Sequence, residues 1–353
     1  MFLGGSRSIC LVLMGSVALA ACGGSGDSSG EEASSGCGEP PPAPSVTLTY
    51  GAAEPTEEGL GETAAVICDR LEARDLEGQV AVQDDDAITV ILAREDARDF
   101  AAGLTSQGSV YFYDFEPNVI PLTSGVKLGE VTPGDLEAQS TDSQLDAVEV
   151  ASEQEPGTCE DCSSPDPSFY LFDKDGKYLA GPTSSKAGVL ALAASSTVSS
   201  GQQLLQVPVG TIVVSDDTEA TRTRYFVLND DPALTGADIT DPVQDTDPYT
   251  GEPNVSFGFT DEGAAAFQEL TRDVAQRGLE SGGGEPYSFA IVADDEIVSR
   301  PIIDPAENPD GIDGSSGAQI SGGLTATETQ QLAATLQAGS LPVPLELTGV
   351  SAG

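Results

Sequence analysis

The stretch "VSFGFTDEGAAAFQELT", Val255–Thr271, changes period half-way along. Up to Phe259, large apolar residues alternate with serine and glycine, the two-residue period of a strand. Beyond Thr260, Ala264, Phe267, Leu270 and then Val274 recur at three and four, the stripe of an amphipathic helix. Thr260 stands where a helix takes its N-cap, and Asp261 and Glu262 suit the positive first turn. A strand running into a capped helix predicts an α+β unit here.

The pattern continues on both sides. Upstream, "LLQVPVGTIVVS" and "RYFVLND" read as strands. Downstream, "YSFAIVADDEIVSRPII" reads as a hairpin turning at Asp294-Asp295, and "GAQISGGL" as a short strand broken by glycine. Thr325-Ala326-Thr327-Glu328 is a capping box; Leu332 and Leu336 continue that helix's apolar face, and Gly339 with Pro342 ends it. "VPLEL" is a last strand. This unit is expected to span 203–347, with a tail at 348–353.

A second unit is expected over 45–125. "SVTLTY" alternates as a strand, and Ala64, Ile67, Cys68 and Leu71 mark one helical stripe. "VAVQDDDAITVIL" reads as two strands around a turn at Asp84-Asp85-Asp86, more readily a solvated turn than a cation site. "REDARDFAAGL" reads as a short helix with Gly103 near its end, and "SVYFYDFEPN" as a further strand. The order β-α-β-β-α-β is ferredoxin-like.

Between the units, residues 126–202 are expected to be a mobile acidic insertion, mostly loop. Glu130 to Asp175 holds thirteen acidic residues against one basic residue, Lys174. "YLFDKDGKYLAG" within it reads as a hairpin with a tight Asp-Gly turn. Asp173-x-Asp175-Gly176 resembles the start of a calcium loop, but the later ligands do not follow.

Composition narrows the function classes. The formal net charge is −44, with 58 acidic residues against 14 lysines and arginines, a surface that repels nucleic-acid phosphates. There is no histidine, which removes Ser-His-Asp and Cys-His catalysis and His-ligated metal sites. A carboxylate-based hydrolase stays open in principle. No catalytic, cofactor-binding or metal-ligating residue is assigned, and no cofactor is expected.

The first residues read as an address. Arg7 precedes an apolar run from Ile9 to Ala21 that is short for a membrane span and ends in small residues. Leu19-Ala20-Ala21-Cys22 resembles the bacterial lipobox. The expectation is a signal peptide at 1–21, lipidation at Cys22 and a disordered tether at 22–44, where Gly, Ser and acidic residues dominate. Of the other cysteines, Cys159 and Cys162 form a C-x-x-C with four readings: a local disulfide, free thiols, redox chemistry or half a metal site. The flanking Pro, Gly and Ser residues favour the disulfide. Cys68 sits on the helical stripe and reads as a buried thiol.

Four passages in order resemble the SecD family, specifically the first periplasmic domain of the SecDF protein-export complex: "LTGADITDP" (Leu234–Pro242), "VSFGFTDEGAAAFQELT", "FAIVADDEIVSRPII" (Phe289–Ile303) and "GAQISGGLTATETQQLAATLQAGSLPVPLEL" (Gly317–Leu347). "VYFYDFEPN" (Val110–Asn118) and "ETAAVICDRLEARDLEGQVAVQDDDAITVIL" resemble its base. The departures are the glycine-free hairpin turn at Asp294-Asp295-Glu296, a glycine insert before Tyr287 and the acidic insertion. The resemblance implies a base and a head that contact exported, unfolded polypeptide and components of the Sec translocon.

The family's membrane helices would be expected after Leu347, and this sequence ends at Gly353. The expectation is therefore a lipid-anchored protein on the extracytoplasmic face of the cell membrane, assisting export by passive binding of emerging polypeptide. The alternative is an accessory or regulatory subunit docking on SecDF or another envelope complex without its own client. No polypeptide-contact residue is assigned; Tyr111, Phe112 and Tyr113 read as core and cross-strand pairs rather than a binding surface.

Overall fold

In the computed structural model of the protein, the first long strand and the last lie side by side. The structure describes residues 36–52, 57–73, 76–83, 86–93, 110–157, 162–163, 166–193, 197–217, 222–248, 250–281, 286–321, 324–339, 341, 343 and 345–352. Strand β2 (Val46–Ala52) pairs antiparallel with β18 (Leu345–Ala352), matching Thr47 to Ser351 and Tyr50 to Leu347. With β1 (Gly36–Cys37), β3 (Gly78–Gln83) and β4 (Ala87–Leu92) they form a five-stranded sheet in the order β1-β3-β4-β2-β18. Helix α1 (Glu57–Ala73) packs on it: Leu60, Ala64, Ile67 and Leu71 meet Leu48, Tyr50, Ile88 and Val90. Alternation puts Leu48 and Tyr50 on the core face and Thr47 and Thr49 on the other.

The base is ferredoxin-like, but its parts are not the expected ones. Its second helix is α6 (Ala326–Ala338) and its fourth strand is β18, both from the far end of the sequence. The helix expected at "REDARDFAAGL" lies outside the described residues. The strand β5 (Val110–Asp114), assigned to the base from sequence, instead pairs with β14 (Tyr287–Ala293) in the head. The reason is visible in its burial. Phe112 faces one core and Tyr113 the other, both fully buried, as a strand between two packed layers requires. A two-residue period reveals a strand but not which sheet takes it.

The head is built on a central sheet in the order β10 (Arg224–Asn229), β9 (Thr211–Asp216), β15 (Glu296–Ser299), β14, β5, β11 (Leu234–Thr235), with β16 (Ile302–Ile303) also pairing β14. Helix α5 (Asp261–Glu280) covers one face. The Thr260 hydroxyl accepts from the Gly263 amide at 2.9 Å, so the expected cap is present. Behind the helix lies a three-stranded sheet, β12 (Ile239–Thr246), β13 (Pro253–Phe259) and β17 (Ala318–Ile320). Phe112, Phe257, Phe259, Phe267 and Phe289 meet between the layers with ring centroids 4.8–6.4 Å apart.

Helix α6 belongs to both halves. It packs on α1 of the base and on β12 and β13 of the head, and Leu332, Ala333 and Leu336 enter the head core. Its capping box is closed: the Thr325 hydroxyl accepts from the Glu328 amide, and the Glu328 carboxylate accepts from the Thr325 amide.

Three further expectations are corrected. The stretch 348–353 is not a tail, because residues as far as Ala352 belong to β18 and pair with β2. Much of 126–202 is folded rather than loop: beyond the short helix α2 (Phe115–Asn118), helix α3 (Gln144–Ser152) is capped by Ser143, helix α4 (Lys186–Leu192) packs on β7 (Tyr178–Thr183), and β6 (Ser168–Phe172) and β7 form a sheet with β8 (Gln203–Val207) just beyond. Its apolar residues are few but grouped. Ala147, Val148, Ala151, Tyr170 and Phe172 pack against Val213 and Val227 of the head. The hairpin expected there, turning at Gly176, is present. Cys68 is not a free thiol. It is bonded to Cys37, with Cα atoms 6.1 Å apart, which ties α1 to β1 and orders the end of the stretch read as tether.

Candidate functional site

The three-stranded sheet of the head turns one face inward and leaves the other open. Val255 and Phe257 of β13 point into the core, 0% and 5% exposed. Alternation therefore sends Ser256 and Gly258 outward. On β12, Gln244 points back to the base, its amide donating to the Ala326 carbonyl at 2.9 Å and to the Thr329 hydroxyl at 3.1 Å. Its neighbours Val243 and Asp245 face the other way, both exposed. Val243, Ser256 and Gln319 sit opposite one another across the sheet. Over them runs an open groove of about 630 Å3, lined by Asp241, Val243, Ser256, Gly258, Ser315, Gln319 and their neighbours.

Local sequence explains each wall. The pairing of β12 shifts between Thr240 and Val243, Asp241 adopts a left-handed φ of 49° and Pro242 follows, so this edge strand is bulged. The opposite wall is the turn Gly314–Ser316. Asp313 accepts from the Ser315 amide at 2.9 Å, and the bonds from Ser315 hold its carboxyl below the usual range. Gly317 has φ 76°, and a Cβ there would stand 2.4 Å from the Phe257 carbonyl oxygen, so only glycine lets the turn close on the strand. The floor is small and flat. Its lining offers hydroxyls, amides and a carboxylate, all able to hydrogen-bond a guest.

A second polar centre lies inside the head. Asp230 accepts at Oδ1 from the Tyr113 hydroxyl, 2.8 Å, and the Ser163 amide, 3.1 Å, and at Oδ2 from the Ser163 hydroxyl, 2.7 Å. Burial, then the Asp230 charge, pushes the Tyr113 hydroxyl well above its ordinary pKa. The hairpin tip approaches the same region. Asp294 and Asp295 have φ of 51° and 65°, as a tight hairpin turn requires. Asp295 is half-buried, yet burial first, then Asp294 and Asp230, push its pKa up to about 7. Both Asp230 oxygens are occupied by Tyr113 and Ser163, so this centre pins the 162–163 loop to the central sheet.

A third group holds α5 to that sheet. Arg277 makes a bidentate pair with Asp114 and lies 5.3 Å over the Tyr287 ring. Glu116, 1% exposed, accepts from the amide and hydroxyl of Ser288. Burial raises the pKa of both carboxyls, against the pull of Arg277 on Asp114 and of Ser288 on Glu116.

Of the residues singled out from sequence, Cys22 and Cys159 lie outside the described residues, as do Asp84 and Asp85. Cys162 is disulfide-bonded, and its sulfur lies 3.2 Å from the Asp230 carbonyl oxygen; a disulfide sulfur carries no proton, so this is a contact and not a hydrogen bond. Phe112 and Tyr113 are core residues, and Tyr111 is half-buried with its hydroxyl donating to the Ser163 carbonyl. Asp173 accepts from the amides of Asp175 and Lys177, as a plain turn does. Among the described residues no group of three or more acidic or cysteine side chains is arranged to hold a metal. Sequence reading missed the groove. The signal was present in "VSFGF", where small residues occupy the positions that strand alternation turns outward.

A model of the SecDF P1 head subdomain matches residues 211–343, which span most of the head and helix α6. The SecD resemblance holds over this region. The SecD protein translocase subunit of Rickettsia felis is 33% identical over 141 residues, covering 40% of this chain and 24% of that protein. The SecDF subunit of Thermus thermophilus is 37% identical over 121 residues, covering 34% of this chain and 14% of that protein. The chain thus spans a quarter or less of the length of these relatives. A solved SecDF, described as a membrane component that enhances protein export, aligns over 86% of this chain and 98% of that one, at a TM-score of 0.42 and 20% identity.

Proposed function

We propose that this SecD-like protein is a membrane-tethered extracytoplasmic binding protein that assists protein export by holding emerging, unfolded polypeptide. The observation that carries the reading is the open groove on the three-stranded sheet of a SecD-like head. Its small floor and exposed Val243 suit an extended chain that presents side chains of many kinds. In this reading the protein is not an enzyme, binding is passive, and a lipid on Cys22 supplies the tether. The Sec translocon, which the relatives serve as translocase subunits, is the proposed neighbour.

In-cell crosslinking from Ser315 or Gln319 tests this. Many different secreted chains, caught while unfolded, support the reading. One constant membrane partner without client chains overturns it in favour of an accessory subunit docking on SecDF or another envelope complex.

A further inference from the structure

The connection from α3 to β6 meets the head at Val209, just before β9, and at Asp230, just after β10. The Gly157 amide donates to the Val209 carbonyl at 2.8 Å. Further on, Ser163 donates its amide and its hydroxyl to the Asp230 carboxylate, at 3.1 and 2.7 Å, and its carbonyl accepts from the Tyr111 hydroxyl at 3.1 Å. Cys162, one residue earlier, is disulfide-bonded and rests its sulfur 3.2 Å from the Asp230 carbonyl oxygen. Two neighbouring residues thus grip one aspartate, Cys162 at its main chain and Ser163 at its side chain.

Asp230 needs that grip. It is 4% exposed, and a buried carboxylate is unfavourable unless hydrogen bonds satisfy it. Tyr113 supplies one such bond from β5, and Ser163 supplies two. Ser163 lies in neither a strand nor a helix, so no backbone ladder keeps it in place. A covalent bond at the preceding residue does, by removing most of the positions the loop would otherwise sample.

We infer that the disulfide at Cys162 is a redox-sensitive clasp: closed, it keeps Ser163 on Asp230, and opened by a dithiol, it releases Ser163 and uncovers the carboxylate. The step is a thiol–disulfide exchange. The sulfur–sulfur bond at Cys162 breaks, two protein thiols form, and the dithiol gives up two electrons and two protons to become a disulfide. The coupling runs both ways. Bonds that Ser163 makes only while the clasp is closed favour the closed clasp by the same factor.

The test uses the full chain in a neutral detergent, equilibrated in graded mixtures of dithiothreitol and its oxidised form. Alkylation and peptide mapping then give the open fraction at Cys162 and, in the same molecules, at the Cys37–Cys68 bond of the base. Ser163→Ala removes a hydroxyl bonded to a buried charged group and should shift opening at Cys162 about tenfold toward the thiol. Tyr111→Phe removes the hydroxyl that binds the Ser163 carbonyl and should shift it about threefold. The Cys37–Cys68 equilibrium should stay in place in both variants. In the native chain, hydrogen exchange at the Ser163 amide should speed up about tenfold or more once Cys162 is open. The Gly263 amide, bonded to Thr260 at the start of α5, should keep its rate.

A Cys162 equilibrium that neither variant moves overturns the inference, because Ser163 is then indifferent to the bond. Exchange at Ser163 that stays slow after opening overturns it too, by showing a loop held without the clasp. A shift shared equally by both disulfides also overturns it, as general destabilisation. Should Ser163→Ala not fold, Tyr111→Phe and the exchange measurement on the native chain decide between these outcomes.

Discussion

Gln244 of the head reaches Thr329 of the base, its side-chain amide 3.1 Å from the threonine hydroxyl and 2.9 Å from the Ala326 carbonyl. One amide thus ties the edge strand of the groove to the first turn of the helix that both halves share. Replacing Gln244 with alanine removes two hydrogen bonds at a largely exposed site, with an expected loss of about 1 kcal/mol. Urea unfolding measures it. A faster amide exchange confined to β12 and the start of α6 is the accompanying signature, and a loss spread over the whole chain would argue against the link.

The Cys37–Cys68 bond closes a loop with a sequence separation of 31. Loop-closure entropy predicts that its removal costs about 3–4 kcal/mol. Cys37→Ser with Cys68→Ser should therefore lower the melting temperature of the base while leaving the head core intact. A single transition at the original temperature would show that β1 contributes nothing.

Asp295 gives a pH dependence with a definite sign. Its folded pKa of about 7 lies above the ordinary carboxylate value of about 3.9. The folded state therefore holds a proton that the unfolded chain has released, and stability rises as pH falls from about 7 towards about 4. Linkage sets an upper bound of about 4 kcal/mol, and water at this half-buried carboxyl lowers it to about 2 kcal/mol. Asp295→Asn tolerates the left-handed turn, should stabilise the protein at pH 8 and should flatten the profile. Denaturation midpoints at pH 5 and pH 8 decide it, and an unchanged slope in the variant assigns the dependence elsewhere.

Ser315 and Gly317 separate blocking the groove from breaking it. Ser315 is exposed and lines the groove, so Ser315→Trp should obstruct it with the melting temperature unchanged. Gly317→Ala places a Cβ 2.4 Å from the Phe257 carbonyl at φ 76° and should cost about 2 kcal/mol or more. Polypeptide binding should fall in both, with loss of stability in the second alone. Undiminished binding by the Ser315 variant would move the site off this face.

Much of the head was readable because its signals are local. The Thr260 cap, the Thr325–Glu328 capping box and the Asp294–Asp295 turn are each set within a few residues. The base was readable as a type but not in its parts. The period of "SVYFYDFEPN" marks a strand, yet only long-range burial of Phe112 and Tyr113 on opposite faces shows that it belongs to the head. The acidic insertion misled for a related reason. Thirteen carboxylates dominate its composition, while a short helix needs only Ala147, Val148 and Ala151 on one side to pack. The groove left the faintest trace, since serine and glycine read as interruptions until their strand direction is known. The partner of Cys68 could not be foreseen once Cys37 had been placed in a tether.

The pairing of β2 with β18 sets an order in time. The earliest-made long strand of the base must wait for its partner Leu345–Ala352, roughly 300 residues further on, which takes roughly fifteen seconds to a minute at elongation rates of about 5–20 residues per second. The head strands and α5 are complete before that. A chain passing outward N-terminus first would assemble its head strands while the base sheet stayed open, and β18 would close that sheet afterwards.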